Sequence, residues 1–188
     1  MRLIRCIVIA MIGIAGCQRA GTTRQGADTD LATAERFIDA FYSFDTARLA
    51  LTLASADRSA SGMVFYQGWA EGGNYRVIQR APCEREAERT IRCAVTVEDD
   101  LIKALRLTLH VTDTFRITVA EGTVRRVVTS SNDPPMFREA LAWVRREWAD
   151  QVRQPCEGFF AGGPTPGACV RVIVQGFAAF AELRRPSR

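Results

Sequence analysis

The stretch that decides the fold is Asp113–Ser131, DTFRITVAEGTVRRVVTSS. β-branched and aromatic residues alternate with polar ones through TFRITV and again through TVRRVVTS. Between the runs stands Glu121-Gly122, a turn pair. Two alternating runs joined by a short Gly-containing turn read as an antiparallel hairpin. Upstream, Thr90–Glu98 (TIRCAVTVE) alternates too and places Ile91, Cys93, Val95 and Val97 on one face. Tyr75–Arg80 alternates and is β-like as well, and Asp99–Leu107 reads as a helical turn or excursion between strands.

Helical spacing governs both sides of these strands. Leu31, Ala34, Phe37, Ile38, Phe41 and Tyr42 form one helical face, which predicts a helix capped by Asp30. Ser43 or Asp45 caps a short second helix through Leu53. Ser55 or Asp57 caps a third that carries Met63, Val64, Tyr66, Gln67 and Trp69 and stops at Gly72-Gly73. After the hairpin, Asp133 is the expected cap of a helix with Pro134 in its first turn and Phe137, Ala140, Leu141, Val144 and Trp148 along it. A Gly/Pro loop, Cys156–Cys169, precedes a last helix whose face is Val170, Ile173, Val174, Phe177, Phe180 and Leu183. Three helices, about four strands without crossover helices, then two helices predict an α+β fold: N-terminal helices packed on a curved antiparallel sheet, with an additional C-terminal helical extension.

The N-terminus carries a different message. Arg2 and Arg5 precede an uncharged run from Cys6 to Ala15. A membrane span needs about 20 apolar residues, so the run is too short. A basic start and a short apolar middle read as an export signal. Ile14-Ala15-Gly16-Cys17 resembles the lipobox of bacterial lipoproteins. That resemblance implies that residues 1–16 are a signal peptide and that Cys17 becomes the acylated first residue. It also implies anchorage in the cell envelope, on the periplasmic face of the outer membrane if there are two membranes, since Gln18 rather than Asp follows the Cys. An ordinary secretory signal and an uncleaved anchor are the competing readings. Residues 17–29 are polar and poor in large apolar groups, which predicts a flexible tether.

The remaining chain suits one domain, 30–150, with 151–188 as a disulfide-closed loop and helix packed on it. The formal charge of the whole chain is +4, and without Arg2 and Arg5 it is +2. That is weak ground for nucleic acid, so no nucleic-acid partner is expected. Cys6 leaves with the signal and Cys17 takes lipid, so Cys83, Cys93, Cys156 and Cys169 remain. An even number in an oxidising compartment favours disulfides. Three pairings are open, and locality favours Cys83–Cys93 and Cys156–Cys169. A zinc site would bring its cysteines closer in sequence, so no metal is expected.

The order of elements resembles the nuclear transport factor two-like fold, also called cystatin-like or SnoaL-like. The resemblance rests on Phe37–Ala54, Asp113–Ser131 and Met136–Val144. It implies a cone with an apolar cavity, which some members use for proton transfer through an Asp or an Asp/His pair, as in ketosteroid isomerases and polyketide cyclases. Others bind ligands or partners, and many dimerise through the sheet.

His110, Asp113 and Tyr66 are the weak acid/base candidates here, His110 being the chain's one His. Phe41, Phe65, Tyr66 and Trp69 are core residues by default and pocket-lining candidates. Glu98-Asp99-Asp100 offers oxygens to a hard cation but reads first as an acidic turn. The glycines at 158, 162, 163 and 167 lack the Gly-Lys-Ser/Thr of a phosphate loop, and no cofactor is expected. The expectation is a lipid-anchored envelope domain, leaning non-catalytic, that binds a small apolar ligand or a protein partner. An isomerase- or cyclase-like enzyme and an assembly protein that forms a homodimer are the alternatives.

Overall fold

A computed structural model describes residues 19–158 and 167–185. The elements run α1 (Arg19–Phe41), α2 (Thr46–Thr52), α3 (Ser59–Gly72), β1 (Arg76–Arg80), β2 (Glu84–Ala87), β3 (Thr90–Glu98) and α4 (Asp100–Ala104). They continue as β4 (Val111–Ala120), β5 (Thr123–Ser131), α5 (Pro135–Glu147), α6 (Ala149–Arg153) and α7 (Gly167–Leu183). The fold is α+β, with seven helices and an open five-stranded antiparallel sheet among the described residues. The sheet order is β1-β3-β4-β5, with β2 also pairing to β3.

Alternation explains the sheet. Ile91, Cys93, Val95 and Val97 on β3 and Val111, Asp113, Phe115, Ile117 and Val119 on β4 are all buried, whereas their odd-spaced neighbours are not. Helices α1 and α3 lie against that inner face. Phe37 and Phe41 of α1 meet Phe115 at ring separations of 5.8 and 5.1 Å, within the range of favourable edge contacts. The turn at Glu121-Gly122 has φ of 55° and 68°, and the glycine makes that second left-handed position easy. A bulge follows: Val119 faces Val124 but Thr118 faces Arg126, so Arg125 is the extra residue. Its carbonyl accepts from the Asp57 N–H at 2.9 Å, which ties the α2–α3 link to the edge of β5.

Helix α7 packs on α3, α4, α5 and α6. Two glycines permit the close crossings. A Cβ on Gly72 would lie 2.6 Å from the Gly167 carbonyl oxygen and from the Val170 Cβ. One on Gly176 would lie 2.6 Å from a Val144 methyl. Disulfides join Cys83 to Cys93 and Cys156 to Cys169, the local pairing. Among the described residues no helix is long and apolar enough to cross a membrane.

Several expectations need correction. Helix α1 already includes Arg19, the first described residue, so it does not begin after Asp30. No proline interrupts residues 19–30, and the apolar stripe that signals a helix begins only at Leu31. Asp30 therefore caps nothing and faces Arg85 at 3.5 Å. Asp45 and Asp99 do cap, accepting from the Arg48 and Ile102 N–H groups. Asp57 accepts from the Ser59 N–H but sits one residue before the N-cap position of α3. Pro134, not Asp133, occupies the N-cap of α5. Strand β2 and helix α6 were not expected. The sequence of β2, Glu-Arg-Glu-Ala, has no β pattern. Its pairing with β3 is enforced by the Cys83–Cys93 link beside it and supported by an Arg92–Glu84 ion pair across the strands. Cys17 and the lipobox-like residues, and Phe159–Pro166 of the Gly/Pro loop, lie outside the described residues.

Candidate functional site

Asp113 stands mid-sheet on the inner face, opposite Val95 on one side and Ser131 on the other, and is fully buried. Three hydroxyls converge on it. Tyr66 of α3 donates to Oδ1 at 2.5 Å, Ser131 of β5 donates to the same oxygen at 2.6 Å, and Tyr42, just past α1, donates to Oδ2 at 2.8 Å. Burial raises the Asp113 carboxyl above the usual aspartate range, and the bonds from Ser131, Tyr66 and Tyr42 oppose that rise. The two tyrosines are pushed upward in turn, first by burial and then by the Asp113 charge. Both carboxylate oxygens are occupied and neither meets solvent. Asp113 is thus a clamp that fastens two helices and β5 to β4.

Beside the clamp lies a cleft of ≈ 250 Å³. Helix α3 supplies Phe65, Tyr66 and Trp69, adjacent and one turn apart, and α5 supplies Phe137 and Leu141 in the same way. Tyr75, the residue before β1, closes the inner end, and Ser131 and Asp133 form the polar side. Trp69 and Phe137 meet with ring centroids 6.1 Å apart. The Tyr75 hydroxyl accepts a hydrogen bond from the Trp69 indole. Asp133 reaches this wall because Asn132 turns the chain out of the sheet, its Oδ1 accepting from the Thr112 N–H at 2.6 Å.

Three carboxylates share the neighbourhood. Asp99 is 3 % exposed, and burial pushes its pKa up to about 6, against the opposing N–H groups of Ile102 and Leu101 and with the charges of Asp133 and Asp113 adding to the rise. Asp133 is raised too, by burial and then by Asp113, with Arg138 pulling the other way. Tyr75 is raised by burial and by all three aspartates. Asp133 makes no hydrogen bond or ion pair among the described residues, although it is only partly open to solvent.

The sequence-derived candidates divide accordingly. Asp113 and Tyr66 come together. His110 does not join them: it is exposed and precedes β4 by one residue, and its odd spacing from Asp113 sets it off the inner face. Phe65, Tyr66 and Trp69 line the cleft. Phe41 is fully buried in the core between the rings of Phe37, Tyr42, Tyr66 and Phe115. Glu98, read as part of an acidic turn, pairs with Arg76 and Lys103. Tyr42, Tyr75, Ser131 and Asp133 were missed as site residues. Parity from Asp113 points toward none of them, because each reaches the site from a different element.

No family model matches the chain, and comparison with curated proteins and with solved structures finds no match either.

Proposed function

We propose that this is a lipid-anchored envelope domain whose cleft between α3 and α5 holds a small apolar ligand. One observation carries the reading: an aromatic-walled cleft, open on one side and furnished with two polar groups, Ser131 and Asp133. Ligand sites are commonly concave, mainly apolar and equipped with few polar groups. The volume bounds the guest to something near a bicyclic hydrocarbon in size. The two disulfides fit an exported protein. The resemblance to the nuclear transport factor two-like fold supplies the expectation of a cavity beside the sheet; this cleft borders the sheet at Ser131 and is otherwise walled by α3, α5 and Tyr75, with the C-terminal helix as an added brace.

An enzyme of isomerase or cyclase type has one favouring observation, the raised carboxyl of Asp133 in an apolar cleft. Such chemistry also needs a donor for the developing oxyanion. The Tyr66 and Ser131 hydroxyls are already committed to Asp113, which leaves the Tyr75 hydroxyl, itself accepting from the Trp69 indole, as the lining hydroxyl able to donate among the described residues and makes binding the better-supported reading. Dimerisation through the sheet is disfavoured by the outer face of β3 and β4, where Arg92, Thr96, Thr112, Thr114, Arg116 and Thr118 stand.

Phenylnaphthylamine, a neutral fluorophore that brightens in apolar surroundings, tests the cleft. The oxidised chain is expected to enhance its emission, and Leu141→Trp, which fills the mouth, to abolish the enhancement at unchanged melting temperature. Equal enhancement by both proteins, or none by the wild type, refutes the reading. The anchor is tested separately: Cys17→Ser abolishes incorporation of a labelled fatty acid, and labelling that survives the substitution overturns it.

A further inference from the structure

We propose that the ligand of this cleft is a cation, an amine or quaternary ammonium group borne on an apolar body. The proposal rests on the cleft being a ligand site and adds the charge of what enters it.

Two independent features of the wall converge on positive charge. The first is the ring content. Tyr66, Trp69, Tyr75 and Phe137 bound a space of ≈ 250 Å³ from three sides, and no Lys or Arg among the described residues lines it. Aromatic faces carry negative charge density and attract ammonium groups, most strongly where water is displaced. The second is the carboxylate Asp133, which lies in the same wall without a hydrogen-bond or ion-pair partner among the described residues.

Behind the wall stand Asp113 and Asp99, both buried, whose charges are felt at Asp133 and Tyr75. Arg138 on α5 is the cation that acts on Asp133, and it is exposed and outside the lining. The negative concentration is local, since the whole chain carries a formal charge of +4. A neutral apolar guest would bury Asp133 without a partner, so the carboxylate would either stay desolvated or have to take up a proton, and an anionic guest would add repulsion. A cation pairs with Asp133 and presents its alkyl surface to the rings.

The probes are choline, its neutral carbon isostere bearing tert-butyl in place of trimethylammonium, and tert-butylacetate as the anion. Each is titrated into the full oxidised chain in dodecylmaltoside and followed through the Trp indole N–H resonances. Choline is expected to bind about tenfold more tightly than the isostere, with no binding of the anion. Asp133→Asn keeps the shape of the wall and breaks no hydrogen bond, and it should remove most of that preference. Phe137→Leu keeps the wall apolar while removing a ring face, and it should weaken choline but not the isostere.

If the isostere or the anion binds as well as choline, the cationic proposal falls and the apolar cleft stands. If choline binds but neither substitution affects it, the site is elsewhere and the proposal falls. If none of the three shifts a resonance, the cationic site is overturned, and the phenylnaphthylamine titration alone decides whether the cleft binds anything.

Discussion

Asp99→Asn should make this protein more stable at pH 8 and leave it nearly unchanged at pH 4. Asp99 has two roles in the structure. Its Oδ1 caps α4 by accepting from the Ile102 N–H at 2.8 Å, and its charge is buried beside Asp113 and Asp133. Asparagine caps about as well as aspartate, so the substitution separates the two roles. The carboxyl titrates near 3.8 when unfolded and at about 6 when folded. A raised folded pKa means that the native state holds the proton more tightly. The stabilisation from that proton is complete below 3.8, declines as pH rises through the interval, and is gone above about 6.

Moving the carboxyl from 3.8 to about 6, at 1.36 kcal/mol per factor of ten in proton affinity, gives about 3 kcal/mol, the full cost of ionising the buried group. No discount for solvent applies at 3 % exposure. Urea unfolding of the oxidised chain at the two pH values, with and without the substitution, measures it. The expected gain is about 1–3 kcal/mol at pH 8, toward the lower end if the wild-type side chain relaxes on ionising. Equal stability of the two proteins at pH 8, or an equal gain at both pH values, refutes the account of Asp99 as a desolvated charge.

Three further outcomes follow from the packing and the clamp. Gly176→Ala should cost about 1–3 kcal/mol, because its Cβ would lie 2.6 Å from a Val144 methyl, and Val144→Ala should restore much of the loss in the double variant; independent melting shifts would contradict the crossing. Tyr42→Phe leaves Asp113 Oδ2 without its donor and should cost about 1–3 kcal/mol at neutral pH, and an unchanged urea midpoint would remove Tyr42 from the clamp. Non-reducing peptide mapping should recover Cys83 with Cys93 and Cys156 with Cys169, and replacing either pair by alanine should lower stability by about 3 kcal/mol in the chain-entropy account.

What the sequence makes legible here is whatever depends on neighbours along the chain. Thr90–Glu98 alternates over nine residues, and β3 has those bounds because each step of the alternation is a local fact about which face is apolar. Asp113 is legible in the same way: it occupies an odd position among Val111, Phe115 and Ile117, where an acidic residue must be paid for by donors from elsewhere. Which donors is another matter. In the register set at the turn, where Val119 faces Val124, Asp113 would face Ser130. The bulge at Arg125 moves the pairing by one residue and brings Ser131 to the carboxylate instead. That bulge is held by the Asp57 N–H on the Arg125 carbonyl and by the Ser59 hydroxyl accepting from the Val127 N–H, contacts more than 60 residues long in sequence. No pattern within the hairpin announces them. Asp133 fails for the opposite reason. Its local setting, an aspartate before two prolines at the start of a helix, fits a cap so well that it hides the cleft. The proline already fixes the helix start, which frees the aspartate to face Trp69 and Tyr75, residues whose positions are set by α3 and by the approach to β1. Local pattern therefore located the sheet and named Asp113 among its acid/base candidates, while the donors to that carboxylate, the cleft and its charge arise where separate elements meet.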